Sequence, residues 1–231
     1  MLLKKLRTPG FFGYIGGISV SKKERAIKII EVFNRLYPDA DCSLDYQDPL
    51  QLLIATQLAA QCTDARVNIV AKDLFVKYRN AEDFANADLH ELEQDIKSTG
   101  FYHNKAKNII NCCRTLVAKF GGKVPGNMED LLSLAGVGRK TANLVLGDIF
   151  KVPGIVVDTH AKRLANRIGF TKNSDPTKIE FDLMKIIPME SWSKFCHQLV
   201  YHGRAVCNAR KPMCEACGIR EFCDFGQLSG E

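Results

Sequence analysis

Two glycines set two residues apart between two helical patterns constrain this chain more than any other feature. Residues Leu134-Ala135-Gly136-Val137-Gly138 separate a short helix beginning near Met128 from a second that opens on Arg139-Lys140. Asn127 can cap the first, with Glu129 and Asp130 in its first turn, where the positive end of the helix dipole favours acids. In the second, Ala142, Val145, Leu146 and Ile149 recur at helical spacing, which packs one face and leaves Lys140 near an exposed N-terminus. Glycines let the backbone come close to a partner, and the first N–H groups of a new helix point outward, which suits a phosphate. The hairpin is therefore either a sequence-independent grip on a nucleic-acid backbone or a plain αα-turn. By itself it does not decide between them.

The remaining chain reads as helix after helix. Ile27, Ile29, Ile30, Val32, Phe33 and Leu36 mark a helix from Lys22 to Tyr37, stopped by Pro38. Asp48-Pro49 starts another in the pattern of an N-cap followed by proline, and Leu50 to Leu58 is apolar on nearly every side, as in a buried helix. Thr63 or Asp64 can cap the next, through Tyr78, which leaves Gln61 in the break; its amide suits a base edge, or simply solvent. A helix from about Leu89 to Ser98 ends at Gly100, and the following one is expected after Asn104, with Phe101, Tyr102 and His103 on the turn between. Those aromatics either anchor the turn or provide a wedge for a base stack; Lys105, Lys107 and Arg114 beyond them read as a solvated face.

Past the glycine hairpin, a strand-like apolar run leads into Val157-Asp158-Thr159-His160. Asp158 fits the N-cap of a helix packed through Ala161, Leu164, Ala165 and Ile168 and closed by Gly169. Ser174-Asp175-Pro176 begins another, and Ser191 to Tyr201 forms the last long one. The fold class expected is all-α.

At 231 residues and 46% hydrophobic content, the chain can bury a core for one large or two small domains. A formal charge of +6 fits an anionic partner such as nucleic acid, and no apolar run is long enough to span a bilayer. The first twenty or so residues read as a partly disordered basic extension rather than a signal peptide, because glycines interrupt the apolar stretch and no small-residue cleavage site follows.

Of nine cysteines, Cys207, Cys214, Cys217 and Cys223 fall in a C-x6-C-x2-C-x5-C pattern. Four soft thiolates so close suit a tetrahedral zinc or an iron–sulfur cluster, and the asymmetric spacing, with a single CxxC, favours the cluster. The loop Asn208-Ala209-Arg210-Lys211-Pro212-Met213 would then carry two cations on a metal-braced support. The other cysteines show no ligand spacing and read as small buried side chains.

Together the glycine hairpin through Asn143, the VDTH turn and the cysteine spacing resemble the endonuclease III family of DNA glycosylase/AP lyases, from about Lys22 to Phe225. The resemblance implies two helical domains with a helix-hairpin-helix motif and a C-terminal [4Fe–4S] loop. It places a basic extension at 1–21, a six-helix barrel domain at 42–152, and a discontinuous cluster domain at 22–41 plus 153–231. It further implies catalytic roles for Lys140, as nucleophile, and Asp158, with Cys207, Cys214, Cys217 and Cys223 as metal ligands. DNA contacts would come from Gln61, which fills the space of a flipped base, and Phe101, the wedge, with Gly136, Gly138, Arg139, Arg210 and Lys211.

Phe101 stands where leucine is commoner in the family and Ala135 where proline is frequent; neither change touches the chemistry. Adenine-mismatch relatives lack the lysine, so Lys140 points to a bifunctional enzyme. The implied partner is double-stranded DNA containing oxidised pyrimidines or abasic sites, met by a cytoplasmic monomer. A DNA-binding or redox-sensing protein without turnover is the alternative, and retention of both Lys140 and Asp158 argues against it.

Overall fold

A computed structural model of the chain describes residues 13–15 and 18–228. The expected basic extension thus falls largely outside the described residues. In its described part, β1 (Gly13–Ile15) pairs antiparallel with β2 (Ile18–Val20). Everything else regular is helical. The chain divides into two compact units, one continuous from Asp41 to Val156 and one assembled from the residues before and after it.

In the discontinuous unit, α1 (Lys22–Leu36) starts on a capping box, with Ser21 Oγ accepting from the Glu24 N–H and a Glu24 carboxylate oxygen accepting from the Ser21 N–H. Its inner face carries Ala26, Ile29, Ile30 and Phe33, and the Phe33 ring lies 5.9 Å from Phe195 and 5.0 Å from His202. Those partners sit on a later helix of the same unit, Trp192–Ala205.

The continuous unit holds α2 (Pro49–Leu58), α3 (Asp64–Lys77), α4 (Ala81–Ala85), α5 (Leu89–Asp95), α6 (Tyr102–Phe120), α7 (Met128–Leu132) and α8 (Arg139–Asp148). Asp48, Thr63, Asn80, Asp88 and Asn127 each accept the N–H three residues on, so most of these helices begin on a side-chain cap. Leu52 through Leu58 are all buried, in keeping with an α2 that runs through the core. Phe84, Leu92, Ile96, Ile109 and Leu116 close around it.

Three expectations are corrected here. Helix α4 was not foreseen; at five residues it is too short for a periodic signal. The α5 segment ends at Asp95 and tightens into a 3-10 turn, Lys97–Thr99, instead of continuing to Ser98. And α6 begins at Tyr102, not beyond Asn104, because the Phe101 carbonyl already accepts from the N–H of Asn104 and Lys105, both at 3.1 Å. Tyr102 and His103 therefore belong to the helix.

The run before Asp158 also differs from the expected strand. With no neighbouring strand among the described residues to ladder with, it forms no strand, and the Ile155 carbonyl is met instead by Asn143 Nδ2 at 3.0 Å. Beyond it, α9 (Thr159–Ile168), α10 (Pro176–Met184), α11 (Trp192–Ala205) and α12 (Asp224–Leu228) complete the discontinuous unit. Asp175 caps α10, and Gly169 ends α9 at φ +90°, as their residue types predict.

Candidate active site and metal-ligand cluster

Between α7 and α8 the chain turns within six residues, and its two glycines do different work. Gly136 sits at φ +75°, where side chains are strained, and a Cβ there would lie 2.6 Å from Gln57 Oε1 and 2.9 Å from Asn108 Cβ. Gly138 has an ordinary backbone as the N-cap of α8 and faces open space, with nothing within 4 Å of an added Cβ. One glycine makes the turn; the other leaves room in front of it. No side chain caps α8, so its first N–H groups face outward beside half-buried Arg139 and exposed Lys140. Ala142, Val145 and Leu146 anchor the helix in the core on its far side. The result is a lysine amine on a fixed helix start, beside backbone N–H groups that no side chain caps.

Gln61 and Phe101 stand at two other breaks of the same unit. Both are exposed and both take left-handed backbone, φ +54° and +51°, which bulky residues avoid. Phe101 is 62% exposed, whereas Tyr102 packs against the core, so the two aromatics do not form a buried pair. His103 Nδ1 lies 2.8 Å from the buried Glu93 carboxylate and so fixes the start of α6.

Lys105 overturns the expectation of a solvated charge. It is 6% exposed, and its Nζ donates to the carbonyls of Leu58 at 2.7 Å and Thr99 at 2.9 Å. Burial lowers its pKa from the ordinary lysine value. Lys107 and Arg114 are exposed, as expected.

In the discontinuous unit, Asp158 is the N-cap of α9: its Oδ1 accepts from the Ala161 N–H at 2.7 Å. The half-buried carboxylate is thereby held in one orientation.

Further along α9, two arginines that sequence reading passed over fasten the cysteine loop. Arg163 donates to the carbonyls of Gly203 and Cys207, at 3.0 and 3.1 Å. Arg167 donates to the carbonyls of Asn208 and Ala209, at 2.7 and 2.8 Å, and to Cys207 Sγ at 3.2 Å. Their i, i+4 spacing behind a capped helix was the available signal, but their targets lie some forty residues on.

Cys207, Cys214, Cys217 and Cys223 all line one pocket, walled by Leu164, Ile168, Val206 and Ile219. None of the four is in a disulfide. Burial raises the Cys217 thiol and pushes Cys223 up to about 11, so a bound cation is what would ionise them. His202 Nε2 stands 3.4 Å from Cys217 Sγ, and with Arg167 it supplies hydrogen-bond donors for thiolate sulfur. The four-sulfur donor set, its apolar-walled pocket and the two hydrogen-bond donors fit a metal cluster. Arg210 and Lys211 are exposed on the loop between the first two cysteines. Of the other cysteines, Cys112, Cys113 and Cys196 are buried, as expected, whereas Cys42 and Cys62 are only half-buried.

Known proteins are similar throughout this range. Residues 54–189 match the HhH-GPD superfamily of base excision DNA repair proteins. Endonuclease III of Synechocystis sp. is 54% identical over 210 residues, 90% of this chain and 96% of that one. Endonuclease III of Bacillus subtilis is 45% identical over 193 residues, 83% and 88% of the two chains. A solved structure of a trapped endonuclease III–DNA covalent intermediate superposes with TM-score 0.86 at 43% identity, covering 92% of this chain and all of that one. A thermostable thymine-DNA glycosylase superposes with TM-score 0.81 at 25% identity, covering 88% of this chain and 97% of its own.

Proposed function

The chain belongs to the endonuclease III family within the HhH-GPD superfamily of base excision DNA repair proteins, and from that premise we propose a residue-level mechanism. It is a DNA glycosylase/AP lyase. The observation that carries the proposal is Lys140, exposed at the uncapped start of α8 behind the open backbone of Gly138.

The helix-hairpin-helix takes a DNA phosphate on the backbone N–H groups at the start of α8, with Arg139 adding charge. The damaged nucleotide is flipped out of the stack, Phe101 wedging the gap and Gln61 filling the vacated space. Neutral Lys140 attacks C1′ with its lone pair as the base departs with the electrons of the glycosidic bond and picks up a proton. Positive charge builds on the sugar at this stage. Asp158, whose Oδ1 is committed to the helix cap, presents its carboxylate charge to that sugar and lowers the barrier. Opening of the ring leaves a protonated imine between Lys140 and C1′. The imine acidifies the C2′ proton; its loss drives electrons towards C3′, and the 3′ phosphate leaves with the C–O pair. Water then hydrolyses the imine and frees Lys140.

Oxidised pyrimidines such as thymine glycol, and abasic sites, are the proposed lesions in double-stranded DNA. Cys207, Cys214, Cys217 and Cys223 are proposed to hold a [4Fe–4S] cluster. When bound, it supplies four iron–thiolate bonds that brace the loop of Arg210 and Lys211 for phosphate contact. The division of labour proposed follows the chain: a barrel domain over 42–152 carries the hairpin, and 22–41 with 153–231 carries Asp158 and the cluster. No helix among the described residues is long and apolar enough to cross a membrane. A monomer working on cytoplasmic, nucleoid DNA is the proposed setting.

Borohydride trapping on a duplex with an abasic site tests the mechanism. Wild type should become covalently attached to the DNA, and Lys140→Ala should not. An undiminished adduct with Lys140→Ala would remove Lys140 from the chemistry.

A further inference from the structure

Among the described residues, only three other than glycine have positive φ: Gln61, Phe101 and Lys151. Two of these are the side chains proposed to enter DNA, and one buried amine is bonded beneath both. Leu58 ends α2 three residues before Gln61, and Thr99 ends the 3-10 turn two residues before Phe101. Lys105 Nζ donates to the carbonyls of both, at 2.7 and 2.9 Å. Carbonyls at helix ends lack intrahelical donors and carry the negative end of the dipole, so a cation is favoured at each. Thr99 is itself fixed, 2% exposed with its hydroxyl donating to the Ile96 carbonyl at 2.8 Å. The amine thus joins two rigid helix ends, each followed at once by a strained, exposed side chain.

Burying a cation here is a costly way to gain stability alone. No carboxylate pairs with Lys105 among the described residues, and desolvation lowers its pKa. The arrangement does what an apolar residue cannot, which is to bond two loop anchors at once while its stem fills the core beside Ala106 and Ile109. We infer that Lys105 is a positioning residue for DNA recognition: its ammonium ties the Gln61 loop to the Phe101 loop, so that wedge and filler enter the duplex as one rigid pair. The inference rests on the glycosylase/lyase mechanism proposed above. Holding both loops in advance removes the cost of ordering each one during base flipping.

The test compares Lys105→Met with wild type on thymine glycol in a fully paired duplex and on the same lesion in a short unpaired bubble. The bubble needs little unstacking, so a positioning defect spares it. Excision from the paired duplex should fall about tenfold or more, while the bubble substrate stays within about threefold of wild type. Equal losses on both substrates, or none on the duplex, overturn the role. Should Lys105→Met not fold, a cycle of Gln61→Ala, Phe101→Ala and the double variant in the wild-type background decides. A rigid pair predicts that the double variant loses little more than the worse single one; independent, multiplicative losses overturn the coupling. Borohydride trapping of wild type on the paired duplex separates the two claims. No adduct there refutes the lyase mechanism, whereas a normal adduct with an unimpaired Lys105→Met duplex rate refutes only the positioning role.

Discussion

Replacing each hairpin glycine with alanine should separate the part of the turn that holds the fold from the part proposed to meet DNA. At Gly136, φ +75° puts alanine in the left-handed region, at a cost of about 1–2 kcal/mol. The new methyl also meets Gln57 Oε1 at 2.6 Å and Asn108 Cβ at 2.9 Å. The glutamine tip could swing away in open solvent, but Gln57 is 5% exposed, and Asn108 Cβ is fixed to its backbone, so overpacking adds about 1–3 kcal/mol. Reduced freedom of the unfolded chain returns about 0.4–1 kcal/mol. Gly136→Ala should therefore lose about 1–5 kcal/mol, and a urea midpoint about 0.5–2 M lower would report it. Gly138→Ala has neither penalty, since its φ is −100° and nothing stands within 4 Å. Its midpoint should hold or rise slightly. Its affinity for a duplex with a reduced abasic site, read by fluorescence anisotropy, should fall about tenfold or more, because the methyl occupies the space a phosphate needs. A Gly138→Ala variant that binds normally, or a Gly136→Ala variant with an unchanged midpoint, refutes this assignment of roles.

Native Cys112 and Cys113 should resist iodoacetamide at pH 8.5 and react only after unfolding. Burial pushes Cys112 up to about 11 and Cys113 higher still, so neither ionises where an ordinary thiol does; mass spectrometry of labelled peptides checks this. Asp182 accepts hydrogen bonds from Thr171 Oγ1 and Asn173 Nδ2, both at 2.6 Å, and these, Thr171 foremost, hold its carboxyl below the ordinary range. Their stabilisation should be complete above about pH 4 and fade as pH falls through the lowered folded value; Asp182→Asn should flatten that part of an acid titration followed by circular dichroism. Protein prepared without oxygen should be brown and contain about four iron and four sulfide per chain. A colourless preparation with stoichiometric zinc would overturn the cluster assignment.

Local chemistry was legible in the sequence because its partners are three or four residues away. The caps at Asp48, Thr63, Asn127, Asp158 and Asp175 and the glycine stop at Gly169 could all be read before any coordinates. The hairpin could be read too, but not the difference between its glycines, since Gln57 and Asn108 reach Gly136 from other helices. Lys105 was misread because charge was weighed above register. It lies four, seven and eleven residues before Ile109, Cys112 and Leu116, on the same buried stripe of α6. Arg163 and Arg167 were missed because their bonds cross to a loop on the far side of α11 in the sequence. The apolar run before Asp158 carries a strand-like composition, but a strand also needs a neighbour, and composition does not report one.

The interrupted path of the chain sets an order on its manufacture. Phe33 and Tyr37 leave the ribosome early, yet Phe195 and His202, their ring partners, lie more than 150 residues later. Residues Asp41–Val156 can meanwhile collapse as a finished unit, at synthesis rates of about 5–20 residues per second. The four thiols are not yet made at that point. Helix α1 is thus among the last elements to find its place, and whatever the cysteines take up would be delivered to a chain already holding its glycine hairpin.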